Sequence, residues 1–105
     1  ENVKENARMR KIILFGTASW PDCPPVKEVL SQSNVQYLYV DICESIGRLK
    51  SFLRVRDTSE AHREAREKHQ AGIPCLAVDD QVILVKNAEH MRELIEEYQL
   101  AAENA

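Results

Sequence analysis

Of the residues in this chain, three cysteines, Cys23, Cys43 and Cys75, are the best suited to covalent chemistry. Thiol–disulfide exchange needs one thiolate to attack and, in a dithiol site, a second thiol to resolve the mixed disulfide. The segment Trp20-Pro21-Asp22-Cys23 has the four-residue spacing of such a site but carries a thiol only at its last position. Trp20 has no thiol, so this segment cannot act by the dithiol route. Cys23 is the candidate catalytic residue that remains. The field at a helix N-terminus would lower its pKa if it begins a helix, whereas the charge of neighbouring Asp22 would raise it. Two roles stay open for Trp20: an aromatic anchor on a binding surface, or a loss tolerated in a decaying enzyme.

The element order follows from the pattern of apolar residues. Lys11-Ile12-Ile13-Leu14-Phe15 is a continuous apolar run ending at Gly16, as expected of a strand buried on both faces. After the loop through Asp22, Val26, Val29 and Leu30 mark a helical face and Asn34 a stop. Proline is tolerated in a first helical turn, so Pro24 and Pro25 fit best with Asp22 as N-cap and Cys23 as the first helical residue. Val35 to Asp41 reads as a second strand. Ile46, Leu49, Phe52 and Leu53 mark an amphipathic helix, and Thr58 or Ser59 caps another, largely solvated helix that reaches about Gln70 before Gly72 ends it. Ile73 to Val78 and Gln81 to Val85 form a hairpin around Asp79-Asp80. Asn87 caps a last helix with Met91, Leu94, Ile95 and Tyr98 on one face. The predicted class is α/β, in the order β-α-β-α-β-β-α, with a four-stranded mixed sheet flanked by helices.

These segments carry a family resemblance. Ile13-Leu14-Phe15-Gly16-Thr17, then Trp20-Pro21-Asp22-Cys23 and Val26-Lys27-Glu28, resemble the opening of a glutaredoxin, where a strand leads into C-P-x-C and a helix. Phe52-Leu53-Arg54-Val55-Arg56-Asp57-Thr58 and Gly72-Ile73-Pro74-Cys75 extend the likeness to bacterial glutaredoxin-related proteins with a C-P-D-C-P-P-type opening. The resemblance implies a thioredoxin-like fold over residues 11–100, and Ile73-Pro74 falls where that fold has its cis-proline loop. Trp20, Pro21, Asp22, Ile73 and Pro74 are then expected to form the substrate-binding surface for a protein or peptide thiol or disulfide. Because that loop abuts the active-site turn, Cys75 is the candidate redox partner of Cys23; the plainer expectation is a small apolar residue of a buried strand. Cys43 is read as a bystander. Trp20 stands at the position of the family's nucleophile, and Asn87-Ala88-Glu89-His90 stands where a Gly-Gly turn and an acidic pair hold glutathione. Glutathione is thus a doubtful co-substrate, and no bound cofactor is expected.

Composition narrows the classes further. The net charge of −3 argues against nucleic acid, and no apolar run approaches the ~20 residues of a membrane span. Three cysteines are an odd number, which fits cytoplasmic thiols better than a disulfide framework. Residues 1–10 are expected to be a flexible extension without a signal-peptide pattern, and 101–105 a frayed end. Arg48, Lys50, Arg54 and Arg56 read as a solvated helix face, although in the resembled fold this helix helps to bind a carboxylate of glutathione. His62 and His69 are expected at the surface, and no metal site is expected.

Overall fold

The computed structural model describes residues 10–101. Strands β1 (Ile12–Gly16), β2 (Leu38–Asp41), β3 (Cys75–Val78) and β4 (Gln81–Leu84) form one sheet in the order β2-β1-β3-β4. β1 is parallel to β2 and antiparallel to β3, and β3 is antiparallel to β4. The parallel pair is joined by α1 (Cys23–Gln32); α2 (Ile46–Thr58) and a short α3 (Arg63–Glu67) lie between β2 and β3, and α4 (Ala88–Glu97) closes the chain.

Alternation along the two central strands divides the core into two layers. Ile12, Leu14, Leu76 and Val78 face one side, where Val26, Val29 and Leu30 of α1 and Met91, Leu94 and Ile95 of α4 cover them. Phe15, Cys75 and Ala77 face the other side and pack with Val40, Ile42 and Phe52 of α2. Both central strands are therefore apolar throughout, which is why β1 shows no polar alternation in the sequence.

The capping residues act locally. The Ser45 side chain accepts from the Arg48 N–H at 3.1 Å, and that of Asn87 from the His90 N–H at 2.8 Å, so each satisfies a donor that its helix leaves unpaired. Asn34, which follows α1, takes φ 59°, a left-handed turn that asparagine adopts more readily than most residues.

Several expectations are corrected. β2 begins at Leu38, not Val35, because Val35 leaves β1 to pair antiparallel with Ala101. Ala101 is thus held by that bridge rather than opening a frayed end, and Leu100 is buried. Residues 102–105, and all but Arg10 of the expected extension, lie outside the described residues. Ile46 does not join the buried face of α2: it is 71% exposed, and Phe52 is that helix's buried residue. The helix expected to reach Gln70 ends at Glu67, after a 3₁₀ turn over Glu60–His62.

Leu14 is fully buried between α1, α4 and the sheet. Leu14→Ala is expected to cost about 2–5 kcal/mol, as a cavity in a packed core does, measured as a shift of the urea midpoint with unchanged slope.

Candidate functional site

The loop from Thr17 to Asp22 leaves the C-terminal end of β1 and feeds α1. Two turns shape it: Trp20 N–H donates to the Thr17 carbonyl at 3.2 Å, and Cys23 N–H to the Trp20 carbonyl at 3.0 Å. Asp22 is the N-cap residue, as expected, but its carboxylate makes no capping hydrogen bond. The prolines explain this. Pro24 and Pro25 have no N–H to donate, and Cys23 has already used its own.

Cys23 is fully buried. Its Sγ lies only 2.9 Å from where a Cβ on Gly16 would stand, so α1 crosses β1 at a contact that only glycine allows. Burial pushes the Cys23 thiol up from its ordinary pKa. The Thr17 N–H donated to the sulfur opposes that shift, and the charges of Asp22 and Asp41 reinforce it. The net direction is toward the thiol, the less reactive form.

The two candidate redox partners do not meet. Gly16 is two residues beyond Leu14 and shares its face of β1, so Cys23 lies on the α1 side of the sheet. Cys75 is on the α2 side, fully buried among Phe15, Val40 and Phe52. A disulfide needs Cβ atoms about 4 Å apart, and here the sheet itself intervenes. All three cysteines are free, and burial pushes the Cys75 thiol up to about 12. Cys43 is the exposed one. Its N–H donates to Asp41 Oδ1 at 2.9 Å, and the same carboxylate accepts from the Thr17 hydroxyl and the Ala18 N–H. These bonds hold the Asp41 carboxyl below its ordinary pKa and tie the loop to the end of β2.

The substrate-binding candidates do come together. Trp20, 49% exposed, and Asp22 form one side of a mostly apolar groove of about 540 Å³, and His69 to Ile73 form the other. Pro21 is exposed in the loop between Trp20 and Asp22. The Ile73–Pro74 peptide bond is cis, with Pro74 buried and Ile73 half-buried beside the groove. Among the described residues, neither the N–H nor the C=O of Ile73 has a hydrogen-bond partner.

The far wall of the groove is built on residues that were expected to be solvated. His62 is fully buried, a correction to the expected surface position. Its Nε2 lies 3.0 Å from the Gly72 carbonyl and its Nδ1 2.7 Å from Ser59 Oγ. A carbonyl can only accept, so Nε2 carries the proton and Nδ1 accepts from the Ser59 hydroxyl. Gly72, at φ +84°, packs its bare Cα against the imidazole. Arg56 Nη2 donates to the Gln70 carbonyl at 2.6 Å and Nε to those of Gln70 and Ala71. Arg66 binds the carbonyls of Arg56 and Ser59, both at 2.7 Å. Arg56 is thus a structural clamp rather than part of a free basic face. The sequence did hold one signal for His62: Ser59 precedes it by three residues, the spacing at which a residue returns to its N-cap. His69 is exposed, and among the described residues no three metal-ligating side chains cluster.

Burial, with Arg56 and Arg66 nearby, lowers the His62 pKa below 6.5. Between that value and the lower folded one, the unfolded chain binds a proton that the folded chain does not, so stability falls as the pH drops. Urea midpoints should be level above about pH 7 and decline toward pH 5.5, with a smaller decline in His62→Gln. In a thiol-labelling experiment at pH 8, iodoacetamide should modify Cys43 alone in the folded protein. Cys23 and Cys75 should react only once urea unfolds it, as intact-mass spectra would show.

No protein-family model matches the chain. The crystal structure of a glutaredoxin from Archaeoglobus fulgidus superposes with a TM-score of 0.57 at 22% identity, covering 90% of this chain and 95% of that one. The likeness establishes the fold, a thioredoxin-like arrangement of glutaredoxin type. In sequence, an uncharacterized protein of Haemophilus influenzae is 37% identical over 68 residues, which span 65% of this chain and 79% of that protein. On that relationship, the chain belongs to the family of the Haemophilus influenzae protein, and it builds this family's sequence on a thioredoxin-like fold.

Proposed function

We propose that this chain is a glutaredoxin-related module that uses the groove beside the Ile73–Pro74 loop to bind an extended segment of a peptide or protein. On this reading it does not reduce disulfides by the dithiol route. The observation that carries the reading is the contrast within one turn: the Trp20 indole is half exposed beside a groove, while the Cys23 thiol is fully buried. An attacking thiolate must be accessible and favoured in its ionised form, and Cys23 is neither. A large, rigid aromatic ring at the mouth of an apolar groove is instead an interface anchor. The unpaired N–H and C=O of Ile73 add a donor and an acceptor with which an extended backbone can pair. The reading calls on no cofactor. Three unpaired thiols suit a reducing compartment, and we assign the protein to the cytoplasm on that ground.

One observation favours a second reading, atypical thiol chemistry at Cys23. The Thr17 N–H donates to its sulfur and so stabilises a thiolate there. An assay of glutathione-dependent reduction of a small mixed disulfide separates the two. Wild type and Cys23→Ser are expected to be equally slow, and a drop in the variant would favour the thiol reading. Trp20→Cys restores the missing thiol in an otherwise formed turn and is expected to raise the rate above wild type. Peptides captured from a library by the wild-type protein should bind Trp20→Ala about tenfold or more weakly. Capture indifferent to that change would sink the binding reading.

A further inference from the structure

The groove has a chemical bias. Among the described residues that line it, the one full charge is the Asp22 carboxylate, which is exposed and accepts no capping hydrogen bond from α1. Opposite it, the wall from His69 to Ile73 contributes no lysine or arginine. The cation behind that wall is already engaged: Arg56 is spent on the carbonyls of Gln70 and Ala71 and on Asp57, 3.3 Å away. A helix N-terminus ordinarily draws anions by offering free N–H groups. Here Cys23 has given its N–H to Trp20, and Pro24 and Pro25 have none, so an anionic ligand finds few donors in the first turn of α1. What remains there is an exposed indole and a carboxylate with no partner among the described residues. That pair suits a flat or compact cation, which stacks on the ring and hydrogen-bonds to the oxygens.

Resting on the binding reading above, we infer that this groove selects a peptide carrying an arginine or lysine side chain, laid on Trp20 and paired with Asp22. The flanking apolar side chains enter the groove toward Ile73, and the peptide backbone pairs with Ile73. An acidic or uncharged segment of the same shape binds less well.

Trp20 is the chain's sole tryptophan, so its fluorescence reports this site without labelling. The test uses two capped pentapeptides, Leu-Val-Arg-Val-Leu and its analogue with citrulline for arginine, which keeps the shape and loses the charge. Binding of each to the full chain is followed by fluorescence and by calorimetry. The arginine peptide is expected to bind about tenfold tighter at low salt, because its cation both stacks on the indole and makes a charge-assisted pair. The advantage should shrink as salt rises toward 0.5 M. In Asp22→Asn, which removes the charge but no capping bond, the preference should fall toward parity, with a thermal melt confirming the fold. Equal affinity of both peptides for the wild-type protein would overturn the cation preference and leave peptide binding standing. If neither peptide binds, both readings are overturned, and a citrulline peptide that binds tighter would reverse the assigned polarity.

Discussion

The contact between the Cys23 sulfur and the bare Cα of Gly16 is the constraint around which this end of the molecule is arranged. It sets how closely α1 can cross β1, and so where the loop between them must stand. With the sulfur locked beneath the helix, the loop's other large side chain, Trp20, is left outside. The same packing that makes the junction dense disfavours the thiolate, because burial favours the protonated form. A site with an attacking residue at position 20 would keep Cys23 in reserve as the resolving thiol. With tryptophan at that position, the buried Cys23 sulfur packs the junction between α1 and β1.

A second support lies across the groove. Residues 69–73 form an irregular segment whose carbonyls must find donors. Arg56 supplies those of Gln70 and Ala71, and His62 that of Gly72. The groove therefore sits between a loop held by Asp41 and a wall held by a buried imidazole and a clamped guanidinium. Fixed walls lower the ordering cost of binding, which is the advantage a preorganised site has over a loose one. The same imidazole ties the wall to pH: protonation leaves the Nε2 donation to Gly72 in place but takes from Nδ1 the lone pair that accepts the Ser59 hydroxyl.

The charge pattern of the groove follows from an accident of backbone chemistry. Two successive prolines in the first turn of α1 deprive it of the donors that make a helix start attractive to anions. Asp22 occupies the cap position yet has no local bond to make, and its carboxylate faces solvent beside Trp20.

Local residue chemistry made much of this legible from the sequence. The strand ending at Gly16, Cys23 as the first helical residue, the cap at Asn87, and the turn at Asp79-Asp80 all depend on near neighbours in the chain. That position 20 holds no thiol was equally plain. Other features needed the tertiary structure, because they depend on which face of the sheet a residue meets. Cys23 and Cys75 belong to opposite layers, which no spacing along the chain reveals, since a strand turns its side chains over at every step. Ile46 looked like core and lies outside, whereas His62 looked solvated and lies inside, because helix packing and not residue type decided which face was covered. The sequence by itself determined that one thiol was missing. The tertiary structure determined that the surviving one is shut beneath a helix, leaving an exposed indole beside a prepared groove.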